Sequence, residues 1–161
     1  MLMKVALSLS ITMILVATEA AIFDETKVAH VGGKVLCQDC TKSWKDWVNG
    51  AKPIKGAKAS VTCLDDRKRV SYYNSDETDA AGEFNIIINK DAYGKTLKPE
   101  NCLVRLVSST DPTCKVATNF GNGKTGVKLV QPNVKYRNLV KYQLSAFYYT
   151  SAACEVPFTS K

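Results

Sequence analysis

Six cysteines and a single histidine set the chemistry open to this chain of 161 residues. Cys37, Cys40, Cys63, Cys102, Cys114 and Cys154 follow the spacing Cys-x2-Cys, then gaps of 22, 38, 11 and 39 residues. A redox site at Cys37-Gln38-Asp39-Cys40 needs a strand–helix–strand setting, and a zinc site needs a second ligand pair at matching spacing. Neither accompanies the pair, so no metal and no cofactor is expected. A bond between Cys37 and Cys40 themselves would close a tiny loop and stabilise little. Bonds to distant partners constrain the unfolded chain by about 3–5 kcal/mol each. Which partners they take, spacing leaves open. His30 is the only histidine and lies beside Gly32-Gly33, where it reads as a surface or first-strand residue.

Carboxylates cluster at Asp65-Asp66 and at Asp76, Glu77 and Asp79. Glycoside hydrolysis needs two carboxylates across a cleft, roughly 5–10 Å apart. Clusters in turns read instead as solvated loop charge. A nucleophile elbow of the Gly-x-Ser-x-Gly type is absent, and a Ser–His–Asp triad could recruit only His30. No catalytic residue is therefore assigned, and the chain is expected not to be an enzyme.

Binding has better raw material. Lys52, Lys55 and Lys58 surround a Pro-Ile-Lys-Gly turn, Arg67-Lys68-Arg69 follows Cys63, and Lys135, Arg137 and Lys141 flank Tyr136. Trp44 and Trp47 stand next to Lys42 and Lys45 in the loop after the Cys pair. Aromatic faces stack on sugar rings, and lysine or arginine suits a uronate carboxylate. The binding set expected from sequence is Lys42, Trp44, Lys45, Trp47, Lys52, Lys55 and Arg137. The alternative for either tryptophan is a plug at one end of a barrel.

Those residues need a compartment and a scaffold. Residues 1–20 have a cationic stub at Lys4, an apolar run from Val5 to Val16, and small residues at Thr18 and Ala20. That is the plan of a secretory leader, too short and too lightly flanked for a stable membrane span. An even cysteine count behind such a leader fits the oxidising secretory route. The expected domains are a signal peptide at 1–20 and one six-cysteine domain at 21–161, of about 140 residues. Composition is that of a globular protein, 45% hydrophobic and 23% charged. A net charge of +7 favours acidic partners outside the cell, with nucleic acid not expected there. No Asn-x-Ser/Thr acceptor occurs, so N-glycosylation is not expected.

Short strand-like runs recur after the leader. Alternation predicts strands at 28–37, 57–63, 84–88, 103–108 and 142–149. Turn signals separate them at Asn49-Gly50, Asn74-Ser75-Asp76, Ala81-Gly82, Asp111-Pro112, Gly121-Asn122-Gly123 and Gln131-Pro132-Asn133. At most a helical turn or two is expected at 41–48 or 90–97. In the segment 78–84, Asp79 can accept from a backbone N–H two residues on, Gly82 can take a positive φ, and Phe84 then enters the core. Short strands at this spacing predict an all-β fold, a small disulfide-stapled β-barrel or sandwich in one domain.

The run Val31-Gly32-Gly33-Lys34-Val35-Leu36-Cys37-Gln38-Asp39-Cys40 resembles the opening signature of the olive-pollen allergen (Ole e 1) and extensin family of plants. The likeness continues through Gly50-Ala51-Lys52-Pro53-Ile54-Lys55-Gly56-Ala57, Thr78-Asp79-Ala80-Ala81-Gly82-Glu83-Phe84 and Asp111-Pro112-x-Cys114, to the late Cys154. It covers residues 28–157. Tyr136-Arg137-Asn138-Leu139-Val140-Lys141-Tyr142 and Phe147-Tyr148-Tyr149 resemble the cysteine-bearing domain of proline-rich and arabinogalactan-type wall proteins, although a proline-rich arm is lacking. The resemblance implies a small β-barrel or sandwich with pairs Cys37–Cys114, Cys40–Cys154 and Cys63–Cys102. It also implies a secreted, non-enzymatic wall or apoplast protein. Its expected partners are pectic or arabinogalactan-type wall polysaccharide or wall proteins, in growth or reproductive tissue. No membrane span is expected, and the protein is expected to be a monomer. The rival expectation is a hydrolase or a protease inhibitor acting through an exposed loop such as 41–55.

Overall fold

A computed structural model describes residues 28–42, 49–92, 94–136 and 139–154. Thirteen strands are assigned there: β1 (Val28–Gln38), β2 (Lys52–Pro53), β3 (Lys58–Leu64), β4 (Val70–Glu77), β5 (Glu83–Asn89), β6 (Asp91–Ala92), β7 (Lys95–Thr96), β8 (Cys102–Ser108), β9 (Cys114–Ala117), β10 (Val127–Lys128), β11 (Val134–Tyr136), β12 (Leu139–Gln143) and β13 (Phe147–Ser151). Single 3-10 turns stand at Pro99–Asn101 and Phe120–Asn122. The sheets face each other as a sandwich and do not close into a barrel.

β1 is the spine of the larger sheet. One side pairs antiparallel with β5 and then with β2, and the other pairs parallel with β12 and then with β13. The smaller sheet has the order β10-β8-β3-β4. Between the two sheets lie Val31, Val35, Val61, Ile86, Val104, Leu129 and Phe147, all essentially inaccessible. Removing this apolar surface from water drives the sheets together.

Three sequence expectations are corrected. The run expected as one strand at 142–149 is two. Gln143 stands opposite Gly32 and Phe147 opposite Val35, so three residues between them face two on β1. That one-residue excess exchanges inward and outward positions. Val140 and Tyr142 point inward before it, Phe147 and Tyr149 after it. A single strand could not have buried both sets.

Asn74-Ser75-Asp76, expected as a turn, lies inside β4. Its polar side chains close the seam with β5, where no backbone ladder forms. Asn74 Nδ2 donates to the Ile87 carbonyl at 2.8 Å, and Asp76 Oδ2 accepts from the Asn85 N–H at 2.8 Å. The possible helical turn at 90–97 is instead the small β6–β7 pair. The other possible helical turn, 41–48, lies largely outside the described residues.

Candidate binding surface

Two disulfides fasten one end of the sandwich. Cys37 on β1 is bonded to Cys114 at the start of β9, and Cys40 to Cys154 beyond β13. The third, Cys63–Cys102, crosses β3 and β8, where the two residues are ladder partners. At the fastened end the connection from β2 to β3 is held internally. Ile54 donates its N–H to the Val35 carbonyl, and the buried Thr78 hydroxyl donates to the Ile54 carbonyl while accepting from the Ala57 N–H. Thr110 Oγ1 donates to the Lys55 carbonyl from the neighbouring loop.

This fixed connection presents Lys52 and Lys55 to solvent. Lys42 is exposed too, its ammonium 3.9 Å from where a side chain at Gly50 would begin. Trp44, Lys45, Trp47 and Arg137 lie outside the described residues. Other expected groupings are separated. Lys58 is engaged by Glu77 at 3.4 Å. Lys141 is in register with His30 and Val134, whereas Lys135 pairs with Val140 on the opposite face of the sheet. His30 lies in the first strand, with its Nδ1 3.3 Å from Asn85 Nδ2.

Positive and negative groups are treated differently by the fold. Every described carboxylate except Glu100 is engaged locally. Asp65 receives the Arg67 and Arg69 N–H groups and the Arg69 guanidinium, led by the Arg69 backbone, and its carboxyl is held below the usual range. Asp111 is lowered first by the Thr113 N–H, and Asp39 first by the Thr41 hydroxyl. Glu83 meets Lys34 at 3.0 Å, and Asp66 meets Lys98 at 3.3 Å. Lys42, Lys52, Lys55, Arg67, Arg105 and Lys128 form no ion pair among the described residues. These six cations are thus left facing solvent.

Asp76, Glu77, Asp79 and Glu83 line an open cleft of about 620 Å³ with Lys141 and Gln143. All four acids are engaged, Asp79 in a turn, Asp76 at the seam, Glu77 by Lys58 and Glu83 by Lys34. Asp79 Oδ1 accepts from the Ala81 and Glu83 N–H groups, and Gly82 takes φ 73°. No group of three metal-ligating side chains is assembled among the described residues.

Sequence reasoning missed one cationic group. In the β10-β8-β3-β4 sheet the register sets Lys128, Leu103, Thr62 and Tyr73 in one row and Arg105, Ser60 and Ser75 in the next. Paired residues share a face, and the opposite face carries Ala59, Val61 and Val104 into the core. The strand alternation at 103–108 held the signal for Arg105. Lys128 and Tyr73 had none, because β10 is two residues long and β4 is largely polar.

Fold and surface together define a disulfide-stapled, two-sheet β protein whose cations face outward. Its homologues are plant wall and pollen proteins: the Ole e 1-like pollen allergen of plantain and proline-rich, extensin-like and arabinogalactan proteins. The chain is 32% identical over 140 residues to proline-rich protein 1 of Arabidopsis thaliana, covering 83% of this chain and 37% of that protein. It is 32% identical over 96 residues to a pistil-specific extensin-like protein of Nicotiana tabacum, 60% of this chain and 21% of that one. The major pollen allergen Pla l 1 of Plantago lanceolata is 28% identical over 95 residues, 58% of this chain and 66% of the allergen. Its crystal structure superposes with TM-score 0.53 at 22% identity, over 78% of this chain and 94% of the allergen chain, and shares the fold. The chain therefore spans well under half of the first two relatives. None of the three is named for a catalytic activity. No family profile matches the chain.

Proposed function

We propose that this chain is a secreted, non-enzymatic plant wall or apoplast protein that associates with acidic wall polysaccharide. The observation that carries the reading is the asymmetry of its charges among the described residues, where nearly every carboxylate is engaged by a turn, a seam or a lysine or arginine, while Lys42, Lys52, Lys55, Arg67, Arg105 and Lys128 form no ion pair. Outside the cell such a surface attracts polyanions, and the abundant ones in a plant wall carry uronate groups. The leader at 1–20 delivers the domain at 21–161, and the three disulfides suit the compartment. The protein acts as a monomer, and the loop with Lys42, Trp44, Lys45, Trp47, Lys52 and Lys55 supplies one contact, with Arg137 a further cation.

Retention of the oxidised protein on de-esterified pectin tests the reading. Binding is expected to fall steeply as salt rises through about 0.15 M, where the Debye length is near 8 Å. It is expected to be weaker on fully methyl-esterified pectin, which lacks the charge. Equal retention on both at high salt would reject the electrostatic reading.

A further inference from the structure

We propose that the outer face of the β10-β8-β3-β4 sheet is a second, flat contact for the uronate chain, with Arg105 and Lys128 on the carboxylates and Tyr73 beneath a sugar ring. This deepens the polysaccharide reading and rests on it. The ladders place these residues on one face: Lys128 opposite Leu103, Leu103 opposite Thr62, and Thr62 opposite Tyr73, with Arg105 opposite Ser60 in the adjoining row. Neighbouring strands lie about 4.8 Å apart, so Lys128 and Tyr73 stand roughly 14 Å from each other across the sheet. That is a platform for several sugars rather than for a single one.

The chemistry of the face selects the occupant. Tyr73 is 54% exposed, a large fraction for an aromatic ring, and the seam with β5 is closed by Asn74 and Tyr72, not by Tyr73. Arg105 and Lys128 are exposed and have no ion-pair partner among the described residues. Between them lie Leu103, Thr62 and Ser75, each partly exposed, and the buried Ser60, none of which carries negative charge. Glu77 stands in the next row of this face, where Lys58 engages it at 3.4 Å, and Asp76 accepts from the Asn85 N–H at the β5 seam. An exposed aromatic plate with two cations that form no ion pair among the described residues matches a carboxylated sugar chain: C–H faces on the ring, carboxylates on the guanidinium and ammonium. A neutral glycan would leave both charges unused.

The faces opposite and around it are less suited. The outer side of the larger sheet mixes apolar Val28, Ile87, Val134 and Leu139 with His30, Lys141 and the Lys34–Glu83 ion pair. The cleft at the β4–β5 turn is lined by carboxylates, which repel a polyanion.

Affinity electrophoresis in gels containing polygalacturonate, methyl-esterified pectin or neutral galactan tests the platform, with the oxidised full chain and the variants R105Q/K128Q, Y73A and K42Q/K52Q/K55Q. The wild type is expected to be retarded by polygalacturonate above all. R105Q/K128Q is expected to bind it about tenfold more weakly, the loss of two surface charge contacts. Its residual preference for polygalacturonate over the methyl ester should shrink accordingly. Y73A is expected to weaken retention without altering salt dependence. All substituted side chains are exposed, so melting temperatures serve as a control for folding. Undiminished retardation of both R105Q/K128Q and Y73A, with the loss confined to K42Q/K52Q/K55Q, would overturn the sheet platform and leave the polysaccharide reading standing. A wild type that polygalacturonate does not retard overturns both.

Discussion

Phe84 lays its ring over the backbone of Gly33, with Cζ only 2.5 Å from the point where a side chain at 33 would begin. The two residues are ladder partners on β1 and β5. The ring is buried and stacks on Phe147, centroids 6.1 Å apart and planes at 18°, so it has no room to withdraw. Gly33 is therefore a packing requirement, independent of any positive φ. Gly33→Ala is expected to destabilise by about 1–3 kcal/mol through overpacking. At a few degrees per kcal/mol, that lowers the melting temperature by several degrees. A melting curve superimposable on the wild type would show that Phe84 can move.

How much of this was legible follows from the kind of signal each element leaves. β1, β3, β5 and β8 alternate apolar and polar residues, so their burial is written in the chain as period two. The turn at Asp79 and Gly82 was readable because an Asx acceptor and a positive-φ glycine leave a local signature. β4 was not, since its Asn74 and Asp76 serve as side-chain cross-links to β5 and have the composition of a turn. The break at 144–146 was hidden because apolar residues stand on both sides of it, and only pairing with β1 decides which of them face inward. The charge asymmetry was half visible: the excess of cations can be counted, but which of them lack partners depends on contacts such as Lys58 with Glu77. The sheet face with Arg105, Lys128 and Tyr73 joins residues 55 positions apart, a proximity made by β8 and β3 together.

Thr78 is the internal tie of the connection that displays Lys52 and Lys55. Its buried hydroxyl serves Ile54 and Ala57, and its own backbone exchanges bonds with Gly56 and Ala57. Thr78→Val keeps the shape and removes the hydroxyl, leaving a buried carbonyl and N–H unsatisfied at a cost of about 1–3 kcal/mol. Thr78→Ser retains the oxygen and should recover most of that loss. Urea denaturation of the two variants reads the difference. Equal midpoints would mean that solvent reaches Ile54 and Ala57.

The three disulfides differ in shielding. Cys63 and Cys102 are both inaccessible, whereas Cys40 and Cys154 are partly exposed. Limiting reductant followed by alkylation is expected to label Cys40 and Cys154 first and Cys63 and Cys102 last, because exchange needs access to a sulfur. Non-reducing peptide mapping should find 37–114, 40–154 and 63–102. The separations of 77, 114 and 39 residues correspond, in the loop-entropy description, to about 4–5 kcal/mol each. Early labelling of Cys63, or a peptide joining Cys37 to Cys40, would contradict this order.

Alkaline pH offers a test of the inner face of β13. Burial pushes the Tyr149 phenol up to about 12, and burial also raises Tyr148 and Tyr142, the latter with a smaller push from Glu100. The folded state therefore holds a proton that the unfolded chain gives up near pH 10. A raised folded value means that the contribution is complete below pH 10 and disappears as pH climbs towards 12. Tyr149 alone should remove about 1 kcal/mol by pH 11. The unfolding free energy, measured in denaturant at several pH values between 9 and 11, is expected to fall over that range. Tyr149→Phe, which has no proton to lose, should fall less steeply than the wild type even if it starts from a lower value. Parallel curves for the two proteins would place the Tyr149 hydroxyl in contact with water and refute its burial against Cys37 and Ala117, its ladder partners on β1 and β9.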